Sequence, residues 1–206
     1  MFFKKYRILR FVFLLAGCLT CGAVFSQTAS DSLLSVLKTN PNETVAFQIY
    51  QRLGEENLKT NSEAAKHYFL RALSLPFHSQ YAEAFVLCYQ SLGSLYETSG
   101  IYDSSFLMYR QSLLLSLKFN LKKEVGLAYQ GLGIVFLRKS MLDSSFYYLN
   151  KMLSEAIERN DEDQQSSAYN NLGNVYSEEG KYPDALEKYL KAISFYEKRK
   201  DEVNLS

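Results

Sequence analysis

The sequence has no tryptophan and, in 206 residues, only three prolines, three cysteines and two histidines. So few prolines leave long stretches free to be helical, because each proline removes a backbone donor and disfavours helix before it. Cys18 and Cys21 fall in the N-terminal stretch that ends at Ser26, and Cys88 is the one thiol beyond it. An intrachain disulfide framework in the remainder is thereby excluded. The balance of 23 basic and 22 acidic side chains, a formal net charge of +1, excludes the basic excess that marks a nucleic-acid partner.

His67 and His78 are the only histidines, so a zinc pair or a nucleophile triad would have to be built on them. No glycine-rich loop is placed to cradle a phosphate. Gly131 and Gly133 begin a dinucleotide-like pattern, but Phe136 stands where its third glycine would be. The acidic run Asp161, Glu162, Asp163 is no calcium loop, since Ser166 takes the place of the glycine and Leu172 that of the closing glutamate. The chain is therefore expected to be no enzyme and to hold neither cofactor nor metal; a hydrolase would have to use one of the two histidines.

What is present is self-similarity. Leu92-Gly93, Leu132-Gly133 and Leu172-Gly173 follow one another at a constant step of 40 in the numbering, and their surroundings keep step. Tyr89, Tyr129 and Tyr169 coincide, as do Tyr96, Phe136 and Tyr176. Further on, small residues coincide at Ser105, Ser145 and Ala185, then large ones at Tyr109, Leu149 and Tyr189. A fixed period in this range marks an array of stacked units. Each copy reads as two amphipathic helices joined by a turn, the first opened by its glycine to close approach, the second carrying a notch and a knob one turn apart. The six extra residues in each period, relative to about 34, predict helices of about 17 residues and roughly 25 Å. With the 40 step held, the first copy is divergent, and Arg52, Leu53 and Glu56 fall where leucine, glycine and aromatic are expected.

The order aromatic, Leu-Gly, aromatic, small residue, aromatic, with Gly180-Lys181-Tyr182 at the turn, resembles the tetratricopeptide repeat over about residues 45–200. The resemblance implies an all-α fold, a right-handed superhelical solenoid of stacked antiparallel helix pairs, of a long-period bacterial type. It also implies a concave wall made by the first helices. There Gln90, Ser94, Gln130, Asn170, Asn171, Asn174 and Glu178 would form the binding face, with Ile134, Glu97 and Arg138 among them. Gln90, Leu127, Gln130 and Ser167 stand where cochaperone members carry basic residues, so a clamp for an acidic tail is not expected. Side-chain amides both donate and accept, which suits recognition of a peptide backbone.

The segment 1–26 reads as a signal peptide: Lys4, Lys5, Arg7 and Arg10, then the apolar run Phe11–Phe25, then Ser26-Gln27. That run falls short of the roughly 20 residues that span a bilayer. Leu15-Ala16-Gly17-Cys18 also resembles a lipobox, so cleavage near Ser26 and lipidation at Cys18 stand as alternatives. Either reading predicts export to the periplasm or cell envelope, the second with membrane association. Beyond the leader, 19 basic side chains meet 22 acidic ones.

The layout expected is a signal peptide at 1–26 and a lead-in with a short capping helix at 27–44, started by Ser30 or Asp31. A divergent repeat follows at 45–79, then full repeats at 80–119, 120–159 and 160–200, and the start of a further one at 201–206. Asp103 and Asp143 are expected to cap second helices, Pro183 to open the last, and Pro76 to end a helix at Leu75. Leu186, Tyr189, Leu190 and Ile193 are left without a following repeat, which predicts either a truncated chain or a covering partner, self-association included. The function expected is a non-catalytic exported scaffold for a protein or peptide, serving as the input part of a bacterial signalling protein. The alternative is a stand-alone or lipid-anchored envelope adaptor.

Overall fold

A computed structural model describes residues 21–204; residues 1–20, with Cys18 and most of the leader, and residues 205–206 lie outside the described residues. The first of two compact units contains helix α1 (Cys21–Lys38). Ser30 and Asp31 lie inside α1 rather than at its N-cap, because no proline interrupts 21–38 and the helix is already under way.

The second unit, Asn42–Ser206, is a solenoid of antiparallel helix pairs: α2 (Glu43–Asn57) with α3 (Ser62–Leu73), α4 (Ala82–Thr98) with α5 (Tyr102–Lys118), α6 (Lys122–Arg138) with α7 (Leu142–Glu158), and α8 (Glu162–Glu178) with α9 (Tyr182–Asn204). Successive helices from α2 to α9 pack on one another, and the first helices α4, α6 and α8 also touch across repeats. Helices α4 to α8 are 17 residues each, as the period predicts.

From α4 onward every connection is three residues long, and its middle residue has positive φ: Gly100, Asn120, Ser140, Asn160 and Gly180. At each, the next residue's N–H reaches back five positions, as from Ile101 to the Tyr96 carbonyl at 2.8 Å and from Lys181 to the Tyr176 carbonyl at 2.9 Å. These bonds satisfy carbonyls that the helix end leaves free. The turns thus recur at half the repeat period. The junction from α3 to α4 breaks this rule. Residues 74–81, with Pro76, make an eight-residue connection that includes a 3-10 turn (Ser79–Tyr81). Helix α3 stops at Leu73, two residues before the expected Leu75, since Pro76 bars helical geometry at Leu75 and Ser74 closes the last turn.

Within a pair, the notch is filled as the spacing predicts. A Cβ added to Gly133 would stand 2.6 Å from Leu149, one added to Gly173 2.5 Å from Tyr189, and one added to Gly93 2.9 Å from Tyr109. The small residue of the second helix does more than leave room. The hydroxyl of Ser105 donates to the Gly93 carbonyl at 2.7 Å and that of Ser145 to the Gly133 carbonyl at 2.8 Å, both buried. Each such bond contributes about 1 kcal/mol, and the glycine gives the hydroxyl its access.

The first repeat corrects the fixed step. Its close-approach glycine is Gly54, whose added Cβ would meet the Phe69 ring at 2.6 Å, and Leu53 is fully buried beside it like Leu92. The Leu-Gly pair is therefore present, displaced by one residue. Helix α2 ends three residues after Gly54, whereas α4 ends five after Gly93, and a four-residue connection makes up part of the difference.

Caps also differ from expectation. Asp103 and Asp143 sit in the first turns of α5 and α7, whose N-cap residues Ile101 and Met141 make no side-chain cap bond. Their carboxylates act on the helix dipole instead, and Asp103 also accepts from Lys139 of the next repeat at 2.7 Å. Asp161 is a true N-cap, accepting from the Gln164 amide at 2.9 Å, and Pro183 lies in the first turn of α9 as expected.

On α9, Leu186 and Ile193 are exposed by 58% and 47%. At the place of Leu186, Phe106 and Phe146 pack on Phe136 and Tyr176 of the following first helix.

Candidate functional site

Because α4, α6 and α8 touch in succession, one face of each contributes to a shared wall. Helical spacing puts residues four apart on the same face, so Gln90 and Ser94 stand beside Gln130 and Ile134, then Asn170 and Asn174. Two hollows result. The first, about 410 Å³, lies between α4 and α6 and is lined by Gln90, Ser94, Glu97, Leu127, Gln130 and Ile134, among others. The second, about 480 Å³, lies between α6 and α8 and is lined by Ile134, Arg138, Asn171, Asn174 and Glu178, with Tyr189 from α9. Ile134 borders both. Asn170 lines neither.

The amides are not equally free. Gln90 donates to the Glu124 carbonyl across the repeat boundary at 3.2 Å, and Asn171 folds onto its own helix, donating to the Ser167 carbonyl at 2.9 Å. The Oδ1 of Asn174 accepts from the Tyr189 hydroxyl at 2.8 Å, which leaves its amide hydrogens. The side chain of Gln130 makes no hydrogen bond to the described residues. Asn174 therefore also holds the knob of its own repeat, a structural task that its place on the wall did not suggest. Ser94 stands at the same place relative to Tyr109, fifteen residues on, and the two line the first hollow together. In the middle repeat the same two positions are Ile134 and Leu149. The two positions pair by polarity, because a phenol brought to this depth needs a partner and a leucine does not.

Charge on the wall is paired across repeats. Arg138 donates to Glu97 at 3.1 Å, joining the rims of the two hollows. Burial pushes the Tyr109 hydroxyl up to about 12, with the nearby Glu97 charge adding to it and the Ser94 hydrogen bond opposing. Behind the wall Arg159 donates to Asp161 at 2.8 Å and to Gln164 at 2.7 Å, and Gln164 donates on to the Lys123 carbonyl at 3.1 Å. Partial burial raises the Asp161 carboxyl, but the Gln164 amide and the Arg159 guanidinium outweigh it and hold the group below its ordinary value. Gly126 makes room for this bridge, since a Cβ there would overlap the Gln164 amide.

Cys88 is fully buried in the core with Phe47, Phe69 and Leu92, the small filler that its position suggests. Burial, with the Glu55 charge second, raises its thiol from 9.0 to about 12. The nucleophile is the thiolate, so iodoacetamide at pH 8 is expected to leave Cys88 unmodified in the folded protein and to alkylate it in concentrated guanidinium. Mass spectrometry reads the difference, and rapid labelling of the folded chain would contradict the packing. The stability held by the neutral thiol is complete below the unfolded value near 9 and declines as pH rises from there towards 12.

His67 and His78, on α3 and in the connection after it, are exposed and line neither hollow. Among the described residues no group of three His, Cys, Asp or Glu is placed to hold a metal ion. Nor is any described helix long and apolar enough to cross a membrane.

With this geometry in view, a family model described as tetratricopeptide repeat matches residues 124–198. This segment belongs to the tetratricopeptide repeat family. The match covers most of the third and fourth pairs of the array, and the second pair repeats the helix lengths and turns of the third. No curated protein matches the chain by sequence.

Among solved structures the array is similar to BtubC from P. vanneervenii, at 16% identity over 89% of this chain and 75% of that one, TM-score 0.68. It is similar to MamA at 19% identity over 91% of this chain and 99% of that one, TM-score 0.64. Aspartyl phosphate phosphatase F from Bacillus subtilis matches at 14% identity and TM-score 0.74, over 89% of this chain but 47% of that one. At these identities the likeness is one of fold. Tetratricopeptide arrays are scaffolds suited to protein contacts.

Proposed function

We propose that the chain is a non-catalytic exported scaffold that grips a peptide segment of a partner protein along α4, α6 and α8, as the input part of a bacterial signalling protein. The observation that carries the binding reading is the run of two hollows sharing Ile134, with free amide groups at Gln130 and Asn174 and a charged pair between their rims. Amides spaced along an open groove can meet successive peptide groups, while Leu127 and Ile134 take an apolar side chain. Export rests on the basic and apolar leader at 1–26.

The test is a photo-crosslinking residue at Gln130, with Tyr147 on the outer side as control. A discrete protein adduct from position 130 alone is expected. Gln130→Arg, which fills the first hollow, should lower the affinity of that partner at least about tenfold, or about 1.4 kcal/mol, while the melting temperature stays within a few degrees. No adduct, or equal adducts from both positions, would remove the wall as the binding site. For export, residues 1–26 fused to a phosphatase that matures only outside the cytosol should yield active enzyme. A second reading, a lipid-anchored envelope adaptor, is favoured by Leu15-Ala16-Gly17-Cys18, and incorporation of a fatty-acid analogue at Cys18 would select it.

A further inference from the structure

The irregular junction between α3 and α4 opens a slot away from the wall. Phe77 from the eight-residue connection, Phe85 from α4, and Gln111, Leu114, Leu115 and Lys118 from α5 are among its lining residues, and its volume is about 280 Å³. Phe77 stands edge-on to Phe85 at 5.1 Å and against Phe119 at 5.6 Å, so the connection forms one apolar side of the slot. Phe77 and Leu114 are nevertheless exposed by 41% and 52%.

The array carries its own control for this surface. In the next repeat the places of Gln111, Leu114 and Lys118 are taken by Lys151, Ser154 and Glu158, an ordinary solvated stripe. Here the stripe is apolar at its centre, and its one charge is positive. No carboxylate lines the slot, and Lys118 makes no ion pair among the described residues, its ammonium lying 5.6 Å over the Phe119 ring. A cavity of roughly 150 Å³ holds a benzene ring, so about 280 Å³ has room for a ring and a short chain.

We propose that this slot binds a small anionic amphiphile, an apolar ring or short chain bearing one carboxylate, with the apolar part against Phe77, Phe85 and Leu115 and the carboxylate at Lys118. Charge and shape point the same way: an uncompensated cation at the mouth attracts the anion, and the aromatic side favours a flat or slender apolar body. The site is independent of the peptide wall, which α5 does not help to form except through Tyr109.

The probe is 3-phenylpropanoate, titrated into the full chain and followed by ligand-observed NMR, with 3-phenylpropylamine as the matched cation. Saturable binding of the acid is expected, about two- to fivefold tighter than the amine, in keeping with what one exposed charge pair contributes. Lys118→Glu and Leu114→Ser install the residues that the next repeat already carries at these places, so the fold tolerates them; circular dichroism confirms it. Each should weaken the acid at least about fivefold, while Gln130→Arg leaves it unchanged. Absence of saturable binding, equal affinity for acid and amine, or wild-type affinity in both slot variants would overturn the proposal. An aromatic peptide side chain that binds where the free acid does not would also overturn it, making the slot an anchor point for a protein.

Discussion

Truncating Phe69 to alanine is expected to cost the array about 3 to 5 kcal/mol, the range for a fully enclosed aromatic ring. Helix α3 is only 12 residues long and buries three of them, Ala65, Phe69 and Ala72. Two are alanines, so the ring is the main apolar mass that the helix contributes. It lies against Gly54 on one side and joins the cluster of Phe47, Phe85, Cys88 and Leu92. The stacking of Phe47 on Phe85 at 4.4 Å bounds the same space. A cavity left here cannot close easily from the α4 side, because α4 is held by α5 and α6. Stability in an array is a sum of repeat and interface contributions, so urea should reveal an early separate transition for α2 and α3 with the later pairs still folded. A shift below about 1 kcal/mol would mean that the ring is not the wedge that the packing makes it.

Gly131→Leu is the second. Tyr109 is held between two glycines, Gly93 of its own repeat and Gly131 of the next, and a Cβ on Gly131 would overlap its ring. The ring is wedged between the two helices, with Gly93 on one side and Gly131 on the other. Overpacking of this kind costs about 1 to 3 kcal/mol. Because the contact joins α5 to α6, the loss should also reduce cooperativity between repeats. Gly133→Leu meets the Cγ and Cδ2 of the fully buried Leu149 and should cost a similar amount. The discriminating variant is Gly131→Leu with Tyr109→Ala, in which removal of the ring should recover part of the loss. Additive losses would show that the glycine and the tyrosine do not share the space. Gly100→Ala is a useful contrast. Nothing lies within 4 Å of its added Cβ, so any loss there comes from the positive φ of 74° alone.

The glycines show how far the sequence can be read. Gly93, Gly133 and Gly173 are legible because close approach recurs at one spacing, and the helices that carry them have the expected length. Gly54 is hidden when the step is held at 40, because helix α2 ends sooner after its glycine and the pair shifts by one. The turn residues Gly100, Asn120, Ser140, Asn160 and Gly180 stand at an even spacing in the sequence. Of these only Gly180 enters the sequence reading as a turn, since serine and asparagine are common and their left-handed geometry is invisible without the backbone.

The wall was legible as a set of positions and not as a set of available groups. Gln90, Ser94, Gln130, Asn171, Asn174 and Glu178 line the hollows as their helical phase implies. Asn171, however, is folded onto its own backbone, and Asn174 gives its oxygen to a tyrosine on the partner helix and keeps only its amide hydrogens free. The sequence by itself determined the period, the helix pairs and the face each helix buries, because these follow from the local spacing of small and large side chains. The tertiary structure alone decided which amides remain free and where the long connection after α3 leaves a slot. Hydrogen bonds between helices and the path of an irregular connection depend on distances in space that no spacing along the chain encodes.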